Sequence, residues 1–345
     1  MELNQLLAFN QLVIDKPENE KMKLAKELDI NYEEYKKRMV GKEKEADFII
    51  ILKSLDALKH FEAYDEGLSH ITNEYTPDFK VELKDGYKML IEVKHTDKEV
   101  FKISQGNLKK RIEFANNQKL PLRFAVSLKG IWGLFTTETL LEKRGRLQLE
   151  DFIGEKAYSW LDRELETCSY MFKKQIKIRS VYSTDYLKGM EIWHDTYGQL
   201  VSYELYYGDR RIFRAKGKNS KFIQYSIYLE ALQDRVANSN QDIERNGKFT
   251  VITEYTDAKI SQFILEYEFV LAPVRHMCKN VDSQVVAYSS QSAIADRKFK
   301  FLSVQDLRCK LFELVNLGLE IKVFKNNEGI DFQNYAEQFW NKSTR

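Results

Sequence analysis

Two carboxylates and a lysine stand close together in this chain, in Thr76-Pro77-Asp78-Phe79 and Ile91-Glu92-Val93-Lys94. Between them Lys84-Asp85-Gly86 gives a hairpin turn signal, flanked by alternating apolar and polar residues. The register can be deduced from the alternation. A two-residue loop at Asp85-Gly86 would set the apolar faces of the two strands against each other. A three-residue loop with Gly86 left-handed pairs Leu83 with Tyr87, Val81 with Met89 and Phe79 with Ile91, which gathers all six apolar side chains on one face. The opposite face then carries Asp78 across from Glu92, at a Cβ separation of roughly 5 Å. Lys94, two residues further along, points to the same side. Two adjacent carboxylates repel unless a cation lies between them. Their oxygens suit a hard ion such as Mg²⁺, with Mn²⁺ as a substitute, which takes one or two protein carboxylates and keeps several waters. Lys94 is then placed to orient or deprotonate water, or to neutralise charge developing on a phosphate.

In Pro77-Asp78 and Glu92-Val93-Lys94 the chain resembles the PD-(D/E)XK nuclease superfamily, the restriction-endonuclease-like fold. The resemblance implies that Asp78 and Glu92 bind Mg²⁺ and that Lys94 assists phosphodiester hydrolysis. It further implies a carboxylate from the first core helix, for which Glu45 is the first candidate and Glu43 the second. His60, His70 and His95 show no metal-site spacing, and alternation turns His95 away from Lys94.

The elements around the hairpin agree with that fold. Residues 42–59 have a helical apolar stripe through Ala46, Ile49, Leu52 and Leu55. A short strand is expected near His60–Tyr64. Thr96-Asp97-Lys98-Glu99 has the pattern of a capping box and predicts a helix starting there, with Phe101, Leu108, Ile112 and Ala115 on its buried face and Gln105 in its middle. Leu122–Leu128 reads as a strand after Pro121, and Ile131–Phe135 extends or follows it. The order is helix, strand, hairpin, helix, strand. The fold class expected is α/β: a restriction-endonuclease-like αβββαβ core with a mixed sheet, preceded by a small helical segment and followed by an α+β domain.

The domain organisation expected is a helical segment over 1–40, a nuclease domain over 41–150 and an α+β domain over 151–345 that holds or selects DNA. Within 1–40, Leu24–Met39 has the cadence of a helix-turn-helix, with Ala25, Leu28, Ile30 and Tyr35 packed internally. Candidate phosphate contacts are Lys102, Lys109 and Lys110, beside Lys98 and Arg111 on the expected helix. A second and denser cluster is Arg210, Arg211, Arg214, Lys216 and Lys218, interleaved with Tyr206, Tyr207, Phe213 and Phe222.

Composition sets outer bounds. The 345 residues are 43% hydrophobic and 31% charged with a net charge of +2, so a nucleic-acid surface has to come from local clustering of cations. Cys168, Cys278 and Cys309 match no zinc spacing and read as free thiols of a reducing cytoplasm. No signal-peptide layout and no membrane-spanning apolar run is expected. The combined reading is a cytoplasmic, Mg²⁺-dependent DNA endonuclease of type II restriction or related anti-invader defence, with RNA as an alternative substrate. A homodimer is expected if both strands are cut. Its alternatives are a transposon-end or junction-cutting nuclease and a non-cutting DNA-binding regulator on the same scaffold.

Overall fold

The structure is a computed structural model of the whole chain. It describes residues 3–55, 57–64, 75–152, 159, 161–165, 167–188, 193–216, 240–255, 262–276, 278–281, 284–287, 289–296, 303–325 and 328–331. They form two compact units: residues 1–167 with 274–303, and residues 168–273 with 304–345.

The first unit begins with helices Leu3–Val13 (α1), Glu18–Glu27 (α2) and Tyr32–Ser54 (α3). Leu6, Phe9, Val13, Ala25 and Tyr35 make a small core of their own, joined by Ile30. Burial pushes the Tyr35 hydroxyl up to about 12, and the charge of Glu18 adds to that. The α2–α3 turn is tight: Asp29 adopts a left-handed φ of 53°, the Ile30 amide donates to Ala25, and the Asn31 side chain caps α3 by accepting from Glu34. Leu28, expected inside, is instead 53% exposed, because the turn ends α2 with that residue on the outside. The helix expected over 42–59 is the latter part of α3, which runs unbroken through Gly41 and ends at Ser54. Nothing lies within 4 Å of the Gly41 Cβ position, so that glycine costs helix propensity without marking a boundary.

The sheet of this unit has five strands in the order β1-β2-β3-β5-β6: Leu58–Ala63 (β1), Phe79–Leu83 (β2), Lys88–Thr96 (β3), Leu122–Leu128 (β5) and Ile131–Thr136 (β6). β3 and β5 are parallel and every other pair is antiparallel, so the sheet is mixed. The β2–β3 register pairs Phe79 with Ile91 and Val81 with Met89, as the apolar alternation requires. Gly86 closes the loop at φ +89°, with its amide donating to Leu83 and the Leu83 amide donating to Tyr87.

The stretch between the parallel strands differs from the expected helix. Thr96 uses its hydroxyl locally, accepting from the Lys98 amide, and Phe101–Lys102 (β4) forms a strand paired with Arg146–Leu147. Pairing and burial of Phe101 outweigh the capping-box pattern there. The helix itself is Gln105–Gln118 (α4), capped by Ser104, so Gln105 is its first residue and Lys98 and Lys102 lie before it. α4 covers the β3 face bearing Leu90 and Glu92, through Leu108 and Ala115. β3 is therefore buried on both sides, as is usual for a strand in a parallel pair.

After this sheet the chain forms a short helix Thr137–Glu142, the strand Arg146–Leu147 and the turn of helix Leu149–Phe152. Later, the short helix Ser290–Ala295 returns to this unit. The Glu43 carboxylate accepts from the Ser290 and Gln291 amides, and Asp47 accepts from the Ser290 hydroxyl at 2.5 Å.

The second unit is antiparallel β with helices. One sheet contains Ile176–Ser183 (β9), Trp193–His194 (β10), Gly198–Tyr207 (β11), Arg210–Lys216 (β12), Asn240–Asn246 (β13) and Phe249–Tyr255 (β14), in the order β10-β11-β9-β14-β13 with β12 also on β11. The other holds Ser169–Phe172, Gln262–Leu265, Ile321–Lys325 and Glu328–Asp331. Helices Glu266–His276 and Val304–Asn316 accompany them. Cys168 is buried and Cys309 half-buried, and neither is in a disulfide. No helix among the described residues is long and apolar enough to cross a membrane.

Candidate active site

Asp78 sits at the entry to β2, where its carbonyl accepts from the Tyr64 amide at 3.2 Å and its Oδ2 accepts from the Val93 amide at 2.6 Å. The carboxylate is thereby fixed against the strand that carries Glu92, one rung beyond the Phe79–Ile91 pair.

Glu92 is only 2% exposed. A buried carboxylate needs charge and hydrogen bonds to remain ionised, and three groups supply them. Arg111, from α4, meets Oε1 with Nε at 2.9 Å and Nη2 at 2.8 Å. The Lys94 Nζ lies 2.5 Å from the same oxygen. The Tyr75 hydroxyl donates to Oε2. Arg111 is also stacked over the Tyr75 ring, 4.2 Å from its centroid, so two of the groups that grip Glu92 brace each other.

Lys94 donates to the Val93 carbonyl at 3.0 Å as well as meeting Glu92. Its ammonium therefore stands against one carboxylate oxygen and one carbonyl oxygen, where a hard cation would find the same ligands. Asp78, Glu92 and the Val93 carbonyl make a donor set that fits Mg²⁺ or Mn²⁺. Among the described residues no cluster of three or more His, Cys, Asp or Glu side chains is arranged to hold a metal. Mg²⁺ does not require one, because it binds through one or two carboxylates and retains waters.

A groove of about 700 Å³ opens beside this end of β3, and Glu45, Asp78, Lys94 and His95 line it. Glu45 is mostly buried and accepts from Lys42 at 3.0 Å. The structure thus brings Glu45 to the same groove as Asp78 and Lys94, and assigns Glu43 to the end of helix Ser290–Ala295. Burial pushes the Glu43 carboxyl up and the neighbouring charge of Asp47 adds to this, against the amides that hydrogen-bond it. The groove wall is basic: Lys37, Arg38, Lys42 and Lys44 of α3 line it. Sequence reasoning missed these four as a group because the expected break near residue 41 divided them between two elements.

The other expected residues fall elsewhere. Lys102, Lys109 and Lys110 are exposed on β4 and α4 and do not line the groove. His95, expected to turn away from Lys94, instead lines the same groove, 3.3 Å from Asp97, while His60 is exposed on β1 and His70 is outside the described residues. In the second unit Arg211 and Arg214 converge on Glu204, whereas the Arg210 guanidinium packs beside Gly318. Lys216 is exposed at the end of β12, and Lys218 and Phe222 lie outside the described residues.

The chain is a mixed α/β protein with a mixed sheet in its first unit, and its charged groove lies at one end of that sheet. No protein-family model matches it, and no curated protein matches it. Among solved structures it is similar to Hjc, a Holliday junction resolvase of Archaeoglobus fulgidus, at 16% identity over 32% of this chain and 91% of that one, with a TM-score of 0.28. At that score the likeness decides nothing, and the functional reading rests on the side chains themselves.

Proposed function

We propose that the chain is a metal-dependent endodeoxyribonuclease whose catalytic domain is residues 41–150. The observation that carries this reading is the position of Lys94, whose ammonium is bound to both Glu92 and the Val93 carbonyl beside the anchored Asp78. Asp78 and Glu92 hold Mg²⁺, and Glu45 is a third carboxylate facing the same groove. The ion, when bound, polarises a phosphate oxygen and makes water a better nucleophile. Lys94 orients that water and offsets charge developing on the phosphate. Arg111 and Tyr75 keep the Glu92 carboxylate in one orientation, and the basic wall of α3 accepts the flanking phosphates. DNA is the favoured substrate. Restriction or another anti-invader defence is the leading setting, by analogy with stand-alone nucleases of this fold, ahead of transposon-end or junction cutting.

A second reading is a non-cutting DNA-binding regulator, and one observation favours it. The Glu92 carboxylate already meets Arg111, Lys94 and Tyr75, so its charge is balanced without a metal ion. Titration with Mn²⁺, followed by the free-ion electron paramagnetic resonance signal, separates the two. The nuclease reading expects the wild-type protein to deplete the signal and Asp78→Asn to lose most of that capacity. Equal depletion by both, or none by either, favours the regulator.

A further inference from the structure

Glu204 lies in the middle strand of three, is only 1% exposed, and is met by three arginines. Arg179 on β9 reaches it at 3.1 Å, Arg214 on β12 at 2.9 Å and Arg211 on β12 at 3.4 Å, while the Tyr206 hydroxyl donates at 2.9 Å. The ladder explains the convergence: Glu204 pairs with Arg179 on one side and with Arg214 on the other, and a register shift after Leu205 brings Arg211 opposite Tyr206.

One buried carboxylate does not need three guanidinium groups. The same unit holds a direct comparison in Glu266, which is fully buried and, among the described residues, is met by one cation, Arg308, helped by the Tyr170 hydroxyl and the Cys168 amide. Arg308 is 12% exposed and serves the interior. Arg179, Arg211 and Arg214 are 38%, 47% and 40% exposed. They approach Glu204 with Nη1, Nη1 and Nε respectively, and a guanidinium has five N–H donors, more than one such contact uses. Three positive charges against one leave a net charge of +2 on one stretch of sheet face. Adjacent strands are spaced about 4.8 Å apart, so Arg179 and Arg214 flank Glu204 at roughly 10 Å from each other. Lys216, two residues beyond Arg214, extends the same side of β12. Among the described residues of these strands, the acidic side chains of this face besides Glu204 are Asp242 and Glu244, which lie on β13 beyond β14, at the opposite edge from β12.

We propose that Arg179, Arg211 and Arg214 form a phosphate-backbone contact surface for DNA, with Glu204 as the positioning residue that fixes all three guanidinium groups in place. This rests on the nuclease reading for the identity of the polyanion. It deepens that reading by assigning the contact to one sheet face, adding Arg179 and Glu204 and removing Arg210. Guanidinium groups suit phosphate because their planar fork matches two oxygens, and holding them before binding lowers the entropy lost on contact. Contacts of this kind fix affinity and register and carry no base sequence.

The test is DNA binding by the full chain carrying Asp78→Ala, so that cutting does not interfere, read as fluorescence anisotropy of labelled duplexes between 50 and 200 mM salt. Arg179→Ala, Arg211→Ala and Arg214→Ala are each added singly, which leaves two arginines on Glu204, and melting curves verify folding. The expected result is weaker binding in all three, by the same factor on unrelated sequences, with the salt slope reduced by about one. That slope change means about threefold less affinity lost across the salt range for each missing phosphate contact. Arg245→Ala, on the exposed edge strand β13 and on the other face by alternation, is expected to bind as the parent does. Unchanged affinity and slope in the three variants overturns the proposal. So does an equal loss with Arg245→Ala, or binding of polyglutamate as tight as that of DNA. Cleavage by the Asp78 protein with Mg²⁺ is scored separately. Absence of cutting with this pattern of binding contradicts only the nuclease reading, and cutting without this pattern contradicts only the arginine surface.

Discussion

Arg111 and Glu92 are 19 residues apart in the chain and meet at 2.8 and 2.9 Å, through a guanidinium that also stacks on Tyr75. The contact crosses from α4 to the β3 strand that α4 covers, and it leaves a buried carboxylate with a fixed orientation. Removing Arg111 should therefore do two things. Arg111→Ala is expected to lose about 2–3 kcal/mol of stability, the magnitude for hydrogen bonds to a charged group, with Lys94 still paired to Glu92. Added Mg²⁺ should then raise its melting temperature more than that of the wild type, because a cation at Glu92 replaces the missing charge. Differential scanning fluorimetry with Mg²⁺ and with EDTA checks both, and equal shifts in the two proteins would count against a metal at Glu92.

In the proposed reaction Lys94 is the residue on which the chemistry depends most. Lys94→Ala should lower kcat by about 10²- to 10³-fold with little change in DNA affinity, as for loss of one preorganised group acting on developing charge. Single-turnover cleavage alongside a binding titration separates the two quantities. A Lys94→Ala protein that cuts at the wild-type rate would remove Lys94 from the mechanism.

Glu204 supplies a pH dependence of stability. Burial alone would raise its carboxyl, but the hydrogen bonds from Tyr206 and Arg179 and the charges of Arg179 and Arg214 hold it below the ordinary carboxylate value. A depressed folded value means the unfolded chain takes up the proton first. The stabilisation is thus fully present above the unfolded value of about 4.3 and is lost as pH falls through the folded one. Melting temperatures from pH 7 to pH 3 should fall more steeply at the acid end for the wild type than for Glu204→Gln. Parallel curves would show that Glu204 carries no such linkage.

Glu266 and Arg308 make a buried pair at 2.7 and 2.9 Å. Arg308→Met leaves that carboxylate without its cation and should cost about 3–5 kcal/mol, while adding Glu266→Gln should recover part of the loss. Urea unfolding of the single and double variants measures this. A single variant as stable as the wild type would show that Glu266 is held by Tyr170 and the Cys168 amide alone.

How much of this was legible beforehand depended on the range of the interaction. The β2–β3 register followed from six apolar residues and one glycine, because a one-residue slip would have turned the whole set to the wrong face. The start of α4 did not, since Thr96 had two uses for its hydroxyl and tertiary burial of Phe101 chose between them. The continuity of α3 through Gly41 was hidden for a similar reason: its latter half is held by packing, with Phe48, Ile49, Ile50 and Ile51 buried, and local propensity did not decide. That Asp78, Glu92 and Lys94 come together at one end of the β2–β3 pair could be read from spacing alone. Arg111 could not be assigned to Glu92, because which turn of a crossover helix meets which strand residue is set by the β3–β5 register. For Glu204 a signal did exist, an acidic residue within the apolar run Tyr203–Tyr207 of a strand, which demands cations from its neighbours.

The central claim is that Asp78, Glu92 and Lys94 hydrolyse a DNA backbone with Mg²⁺. Incubation of supercoiled plasmid and long linear DNA with the wild type, with and without EDTA, beside Lys94→Ala and Asp78→Asn, tests it most directly. The predicted result is nicking or linearisation that requires Mg²⁺ or Mn²⁺, is abolished by EDTA and is lost in both variants. Intact plasmid under all conditions, or cutting that persists in EDTA or in the variants, would contradict it.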